Sequence, residues 1–436
     1  MALLISARIA NHGLNPTSLS ACALFLTLML VPAITRAGTE PLTYEEQTLM
    51  VGGAPVVARV PEGYRLSLLT DKLDGPRLMT FAENGDLFIG SSSGRVYRLA
   101  PPYTTPEVLV TLNNYPHSVA IRRGEILIAR TDGLYRAPYQ PGQKELPAKS
   151  VSLLARLPGG GGHNSRSVGI GPDGRVYVSL GIQSNCSDQY LDASYPFDER
   201  RGGIYVLREN GVGVDFHQRG KTAMRDYRKI DSDPIFQWEV FAAGLRNPIG
   251  FAWHPQTGVM YASNNGPDHL GYEQPPEYFS RISAGSFHGM PWFQFDGQRL
   301  RRDDCAAKRP PRPMAEVTAP VATFPSRNAP MGVTFIPQGA MSKALAFDAI
   351  VALHGSWATQ SGGGFFGAKA TRRPPKLVAV RFNNGEAVRV DDLVTGFQLA
   401  NGERWARPVG VAIGPDGALY FTSDGGTQGL FRLGLK

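Results

Sequence analysis

A turn-and-strand unit that recurs along the chain is the feature that most constrains the fold. In residues 163–181, "HNSRSVGIGPDGRVYVSLG", an Asp-Gly turn leads into an alternating strand. Related units begin at Phe81, Val119, Phe251, Val333 and Val411. The copies are spaced by roughly forty to eighty residues, a period typical of β-propeller blades with insertions in their loops. The repeats therefore predict an all-β, six-bladed β-propeller. A β-sandwich or two tandem β domains are the alternatives, which the periodicity disfavours.

The ends of the propeller are expected to meet. Residues 63–70, "GYRLSLLT", alternate well and precede the first copy, so we predict that they supply a strand to the last blade. Residues 63–436 then form one propeller domain, and residues 38–62 form an N-terminal extension. The 42% hydrophobic content allows a large core, and 50 Gly and 34 Pro, scattered along the chain, suit short strands joined by turns.

The N-terminus has the pattern of a secretion signal over residues 1–37. Arg8 is positively charged, residues 21–34 are apolar, and Ala37 marks a plausible cleavage point. An uncleaved anchor is the alternative, because the region before the apolar run is longer than usual. No later stretch is long enough to span a membrane. We expect a periplasmic or secreted protein without a transmembrane span after cleavage.

Cysteine content and charge narrow the function classes. Cys22 would leave with the signal, and the remaining Cys186 and Cys305 could form a disulfide or stay separate. The absence of CxxC disfavours a thiolate zinc site. The net charge of +8 is concentrated in two basic loops, which are either solvated or a docking face for an acidic partner. We find no nucleic-acid module, no GxSxG nucleophile, and no Rossmann or P-loop pattern.

Each copy is preceded by a short polar or proline-bearing entry. Inner strands of a propeller line the central channel, so the entries are expected to converge on one mouth. The candidate residues there are His117, His163, Arg166, Arg246, Asn247 and Arg407. Guanidinium groups match carboxylates, so several aimed at one place indicate a ligand with several anionic groups. The alternative is that each arginine pairs with a carboxylate of a blade. The glycine run before His163 would let its loop dip over the axis.

Two further features carry chemistry. In "NNGPDHLGYE", Gly266 and Pro267 could turn their carbonyls outward with Asp268 and Glu273 nearby, an oxygen-rich set that favours calcium. A tight structural turn is the alternative. A neutral His163 could accept a proton near pH 7, whereas His254 is expected to support a turn and His354 is a weaker candidate.

The ordered motifs resemble the soluble glucose/sorbosone dehydrogenases, in particular the L-sorbosone dehydrogenase-like branch. They are "HNSRSVGIGPDGRVYVSLG", "GLRNPIGFAWHPQTG", "NNGPDHLGYEQPPEY" with "GSFHGMPW", "LHGSW", and "WARPVGVAIGPDGALYFTSD". The resemblance runs from about residue 63 to 432. It implies a six-bladed propeller that uses pyrroloquinoline quinone (PQQ) and calcium to oxidise aldoses or related aldehydes, with electrons passed to an external acceptor such as a cytochrome or quinone.

The resemblance also implies residue roles. His163 would be the general base for the sugar hydroxyl while hydride passes to PQQ. Arg246 and Asn247 would hold the quinone side of the cofactor, Arg407 would bind a cofactor carboxylate, and His117 would approach the cofactor from the second blade. The ligands expected for calcium are the carbonyls of Gly266 and Pro267, with Asp268 beside them.

Two loops depart from the family pattern. After "HGSW" the expected basic residue is missing, and Lys369 and Arg372 are the candidates to replace it. Before the fifth blade, "RNAP" (residues 327–330) stands where "HSAP" is usual. Two other functions stay open: a calcium-dependent, lactonase-like propeller hydrolase, and a propeller that binds sugars or proteins without catalysis.

Overall fold

A computed structural model describes residues 41–208, 238–341, 343–360 and 364–436. The predicted signal segment, residues 1–37, lies outside the described residues. Within the described ranges, no helix is both long and apolar enough to cross a membrane. The helical elements described are short 3₁₀ turns: Ala148–Ser150, Phe197–Glu199, Met314–Glu316, Lys343–Leu345 and Lys369–Thr371.

Six antiparallel sheets of four principal strands form the blades, so the predicted six-bladed propeller is confirmed. The innermost strands, in blade order, are Pro76–Phe81, Ser118–Arg122, Arg166–Ile170, Phe251–Trp253, Pro330–Phe335 and Ala406–Ile413. The second strands are Leu87–Ser91, Glu125–Arg130, Val176–Leu180, Met260–Asn264, Ala349–Leu353 and Leu419–Gly426. The third strands are Arg95–Leu99, Gly133–Pro138, Gly203–Leu207, Glu277–Ile282, Lys376–Asn383 and Gly429–Leu435. The outer strands are Glu107–Thr111, Ser152–Arg156, Trp238–Ala243, Ala322–Phe324, Glu386–Val394 and, in the sixth blade, Tyr64–Thr70.

The N-terminal strand Tyr64–Thr70 closes the ring, as the sequence predicts. It pairs antiparallel with Gly429–Leu435, from Leu435 opposite Tyr64 to Leu430 opposite Thr70. The innermost strands also contact one another in a closed cycle around the axis. Both ends of the chain are thereby fixed in one blade.

Packing between blades explains why the second strands are so apolar. Val176–Leu180, Met260–Asn264 and Ala349–Leu353 are buried at every position. A strand covered on both faces needs hydrophobic residues on both faces, which is why these segments read as apolar runs.

Residues 44–61 form a hairpin, Tyr44–Val51 with Ala54–Pro61, that adds to the propeller core. Its Val56, Ala58 and Val60 are buried in one cluster with Leu393 and Trp405 of the last two blades. The Arg59 N–H donates to the Thr395 carbonyl at 3.0 Å, and Thr395 returns the bond. A small hairpin, Phe293–Phe295 with Leu300–Arg302, and the short strand Ser286–Phe287 beside Trp238–Ala243 complete the strands.

The innermost strands enclose a channel of about 510 Å³ with both polar and apolar side chains in its lining. Its lining includes Phe81, Ile170, Trp253 and Phe335, which lie at or near the ends of their strands. The entries that carry the predicted site residues lie at the opposite end, where each innermost strand begins. The predicted site residues therefore lie at one end of the inner strands, and these four apolar side chains lie at the other.

Candidate functional site

Three of the predicted residues meet around Gly181, at the end of the second strand of blade 3. A Cβ atom added to Gly181 would lie 2.6 Å from Asn247 Oδ1, 2.7 Å from His163 Cβ and 3.0 Å from the Arg246 carbonyl oxygen. His163 arrives from the loop before blade 3, and Arg246 and Asn247 arrive from the loop before blade 4. Only glycine leaves room for this approach.

The ring of His163 is held in one tautomer. Its Nδ1 lies 2.6 Å from the Ile182 carbonyl, which can only accept, so Nδ1 carries the proton and Nε2 keeps a lone pair. Nε2 makes no hydrogen bond to any part of the chain that the structure describes. Burial and the nearby Arg246 guanidinium lower the pKa of His163 to about 3. The imidazole is therefore neutral at physiological pH and can accept a proton at Nε2.

Two buried arginines hold the glycine run that carries His163. Arg201 donates to the carbonyls of Gly181, Gly160 and His163 at 2.9, 2.6 and 2.8 Å. Arg166 donates to the carbonyl of His163 at 2.8 Å and to that of Pro158 at 2.7 Å. The loop thus supplies backbone carbonyls to two guanidinium groups, and its shape is fixed rather than free.

Arg166 differs from the ligand-facing arginine that the sequence suggests. Its side chain is fully buried, and burial lowers the pKa of Arg166 well below the usual value. Its hydrogen bonds in the described chain go to carbonyls of residues 158–165 rather than to a carboxylate or to the mouth. It shapes the His163 loop instead of facing a ligand.

Arg246 is buried beside the loop that is expected to bind calcium. Its Nε donates to the Asn185 carbonyl at 3.1 Å and one terminal nitrogen to Asn185 Oδ1 at 2.9 Å, with Asp268 Oδ2 3.4 Å away. Burial lowers the pKa of Arg246, an effect that Asp268 and Glu277 oppose. Asn247 donates from its amide to Asn265 Oδ1 at 3.2 Å. The pair thus connects the His163 side of the mouth with residues 264–268.

Gly266 and Pro267 are buried residues, and their carbonyls accept no hydrogen bond within the described chain. Glu277 fixes the segment from below, because its Oε2 accepts the Gly266 N–H. Burial raises the pKa of Glu277 to about 7. Two unbonded carbonyl oxygens side by side suit a hard cation.

The predicted carboxylates are engaged elsewhere. Asp268 pairs with Arg327 through Oδ1 and lies near Arg246 through Oδ2. Glu273 is exposed and pairs with Arg373 at 2.5 Å. The carbonyls of Gly266 and Pro267 are consequently better placed as ligands than either side chain.

Arg407 belongs to a charged chain on the far side of the mouth. Its terminal nitrogen donates to His354 Nδ1 at 2.9 Å, and His354 Nε2 lies 2.6 Å from Asp424 Oδ1. Asp424 in turn pairs with Arg77. Burial lowers the pKa of His354 to about 4. The neutral ring therefore accepts a hydrogen bond from Arg407 at Nδ1 and donates one to Asp424 from Nε2. His354 thus positions Arg407, a role that the sequence did not predict for this histidine.

His117 is fully buried beneath the mouth. Its Nδ1 lies 3.0 Å from the Arg166 carbonyl, and its ring packs edge-on against Tyr115 at 5.3 Å. Its Nε2 is buried without a hydrogen-bond partner in the described residues. His254 has the turn-supporting part predicted for it, because Nδ1 accepts the N–H groups of Gln256 and Thr257 at 3.2 and 3.3 Å.

The model of the family described as "Glucose / Sorbosone dehydrogenase" matches residues 129–432. The chain belongs to the Glucose / Sorbosone dehydrogenase family. Family membership indicates an oxidoreductase that acts on a small-molecule sugar. Quinoprotein glucose dehydrogenase B of Acinetobacter calcoaceticus is 29% identical over 126 residues, which are 28% of this chain and 25% of that protein.

Solved structures agree with the fold of the Glucose / Sorbosone dehydrogenase family. The calcium structure of Trichoderma reesei Carbohydrate-Active Enzymes Family AA12 has a TM-score of 0.68 at 17% identity and covers 91% of this chain and 99% of that chain. The holo form of the Pyranose Dehydrogenase PQQ domain from Coprinopsis cinerea has a TM-score of 0.64 at 18% identity, covering 87% and 97%. At these sequence identities the structural similarity supports the propeller fold alone.

The two departures from the Glucose / Sorbosone dehydrogenase pattern both place arginine at the mouth. Arg327 of "RNAP" holds residues 268–271, since it pairs with Asp268 and donates to the Gly271 carbonyl at 2.8 Å. Beyond "HGSW", Arg372 lies close enough to Arg404 and Arg407 to lower the pKa of each, although burial is the larger cause for both. None of Arg372, Arg404 and Arg407 forms an ion pair within the described residues. Arg372 is therefore the better candidate for the missing basic residue.

Sequence reasoning missed Arg201, Asn185 and Glu277. Arg201 and Asn185 lie in the long insertion 181–202 of blade 3, which follows no repeat and gives no periodic signal. Glu277 begins a strand whose other members are hydrophobic or polar, and only its burial marks it. A carboxylate at the start of an otherwise buried strand is the one sequence signal available.

The structure also joins Cys186 to Cys305 in a disulfide, with the two Cα atoms 5.6 Å apart. Of the two possibilities that the sequence allowed, a disulfide or two separate cysteines, the structure has the disulfide. The bridge lies next to Asn185 and therefore near Arg246.

Proposed function

We propose that the protein is a PQQ- and calcium-dependent dehydrogenase that oxidises aldoses or sugar-derived aldehydes of the sorbosone type. The observation that carries the proposal is the meeting of three parts at one mouth: the free Nε2 of neutral His163, the Arg246–Asn247 pair, and the two unbonded carbonyls of Gly266 and Pro267. Together these parts offer a base, a cation and a metal site. Family membership supplies the reaction class.

The residues present fit the implied cofactor. Arg372, Arg404 and Arg407 form a cationic group suited to the carboxylates of PQQ, and the carbonyls of Gly266 and Pro267 suit calcium. Arg246 and Asn247 would hold the quinone side. PQQ, when bound, supplies the electron acceptor for the sugar.

His163 Nε2 would take the proton of the sugar hydroxyl as the C–H bond is broken. Its Nδ1–H, fixed on the Ile182 carbonyl, keeps the lone pair directed at one place. Arg246 would stabilise the negative charge that develops beside it, since a preorganised buried cation needs little rearrangement. The electrons would then leave to an external acceptor, a cytochrome or quinone, in a periplasmic or extracellular setting.

A calcium-dependent hydrolase is less well supported. Such an enzyme needs side-chain carboxylates or amides converging on a metal at the propeller axis. In the described residues, the group of three His, Cys, Asp or Glu side chains close enough to share an ion is Cys186, His269 and Cys305, where the two cysteines are joined in the disulfide. The carboxylate of Asp268 is engaged by arginines.

Calcium is expected to be required for PQQ binding as well as for turnover. Backbone carbonyls of Gly266 and Pro267 repel a cofactor carboxylate unless a cation lies between them. The measurement is a titration of the apoprotein with PQQ, followed by quenching of tryptophan fluorescence, with calcium and with a chelator. Equal affinity in both conditions would contradict a bridging metal, and no binding in either would contradict the proposal as a whole.

The pH dependence should lack a histidine limb near neutrality. Because the pKa of His163 is lowered from 6.5 to about 3, the ring stays neutral and able to accept a proton as the pH falls from 8 to about 5. We expect kcat/KM for an aldose to stay within about a factor of three over this range. The check is a dye-reduction profile with saturating PQQ and calcium. A decrease of tenfold or more centred near pH 6.5, seen both in the wild type and in Glu277→Gln, which removes the carboxyl whose pKa is about 7, would show that the base titrates normally.

A further inference from the structure

Asn185 contacts both Arg246 and Asp268, the residue that follows Gly266 and Pro267. Its Oδ1 accepts one terminal nitrogen of Arg246 at 2.9 Å and the backbone N–H of Asp268 at 2.7 Å. Its own carbonyl accepts Arg246 Nε at 3.1 Å. One side chain therefore sets the plane of the guanidinium and also the start of the turn that follows Gly266 and Pro267.

The burial of Arg246 makes these bonds important. The side chain is only 6% exposed, so water cannot replace a lost acceptor without rearrangement. Asp268 Oδ2 lies 3.4 Å from the same terminal nitrogen that Asn185 holds. Without Asn185 the guanidinium would turn toward Asp268, and away from the position that faces the mouth.

The loop that carries Asn185 is tied down immediately beside it. The next residue, Cys186, is bonded to Cys305. Two residues further, the carboxylate of Asp188 accepts the N–H groups of Ala307 and Lys308 at 3.2 and 3.3 Å. Residues 184–196 contain no strand in the structure, so these cross-links take the place of a ladder of backbone bonds.

We propose that Asn185 is a positioning residue that couples the Arg246 guanidinium to the Gly266–Pro267 carbonyls, and that the Cys186–Cys305 disulfide holds it there. The proposal rests on the proposed function for its consequence, which is tighter cofactor binding and faster turnover. Its geometric content concerns the ligand-free protein and is testable without any cofactor.

The ligand-free test is amide hydrogen exchange, followed by mass spectrometry, on residues 264–271. Asn185→Ala and the double variant Cys186→Ser, Cys305→Ser should both raise exchange there, because the Asp268 N–H loses its acceptor or the acceptor loses its tether. Asn185→Asp, which keeps the oxygen acceptor, should restore protection. Lys308→Ala is the matched control and should leave protection unchanged, because it removes the exposed ammonium that contacts Glu199 and Tyr195 but keeps the backbone N–H that Asp188 accepts. If the double variant does not fold, reduction of the folded wild type replaces it.

The cofactor-dependent test compares the same variants in PQQ titrations with calcium. Asn185→Ala should weaken PQQ binding about tenfold and lower kcat, with KM for the sugar unchanged, the size expected for one charge-assisted hydrogen bond. Unchanged exchange over 264–271 in both Asn185→Ala and the disulfide variant would overturn the proposal, and a change only in Asn185→Ala would overturn the tether. If the wild type binds no PQQ, the proposed function fails, while the exchange result still decides the geometry.

Discussion

Replacement of His163 by alanine is expected to slow PQQ reduction by sugar about 10²–10⁴-fold while leaving PQQ bound. His163 is fixed on the Ile182 carbonyl through Nδ1, so Nε2 would be the atom that accepts the proton in the proposed reaction, and alanine offers no acceptor in its place. The rate is measured in single-turnover mixing of PQQ-loaded protein with a set of aldoses, and binding by fluorescence quenching. Asn164→Ala, on the exposed neighbour in the same loop, is the control and should keep the wild-type rate.

If His163→Ala reduces PQQ at the wild-type rate, the base is another group. If His163→Ala loses PQQ altogether, His163 holds the cofactor and does not act mainly on the substrate. A role in catalysis can be distinguished from a role in cofactor binding because the rate and the affinity for PQQ are measured on the same preparation.

Replacement of Arg246 by alanine is expected to weaken PQQ binding about 10–100-fold and also to slow turnover. A charge-assisted hydrogen bond contributes roughly 1.5–3 kcal/mol, and here the buried charge would also stabilise negative charge on the reduced quinone. Both the dissociation constant and the rate of PQQ reduction are measured. Arg175→Ala, in an exposed turn at the far end of blade 3, is the matched control. An Arg246→Ala variant that binds PQQ and turns over normally would make Arg246 a purely structural residue.

The blades could be predicted because each contains the same local sequence pattern. A glycine-containing turn between alternating strands specifies a hairpin wherever it occurs, and six such units leave a propeller as the simplest closed arrangement. The closing strand Tyr64–Thr70 was predictable for the same reason, since its alternation matches an open edge of the last blade.

The direction of individual side chains could not be predicted in the same way. Arg166 and Arg246 both begin or precede an inner strand, yet Arg166 turns under the glycine loop and Arg246 turns toward Asp268. The difference depends on where carbonyls of the loops happen to face, which no periodicity encodes. Asn185 is harder still, because its partners lie 61 and 83 residues away along the chain.

The residues of the candidate site that the sequence did not predict lie largely in a long insertion. Residues 181–202 of blade 3 contribute Asn185 and Arg201, which bond to residues of the repeated motifs, and Cys186, which ties this insertion to Cys305 of another insertion. The motifs thus supply the reactive groups, and the insertion supplies their supports. Such supports vary with loop conformation and leave no pattern in a single sequence.

The most direct test of the account is reduction of PQQ by sugar in reconstituted wild-type protein. Purified apoprotein is loaded with PQQ and calcium, mixed without oxygen with a panel of aldoses and sugar-derived aldehydes, and followed by the absorbance of PQQ. Rapid reduction of PQQ by at least one member of the panel is expected, with no reduction when either calcium or the protein is left out. Protein that binds PQQ and calcium but reduces no PQQ with any sugar, or that binds neither, would contradict it.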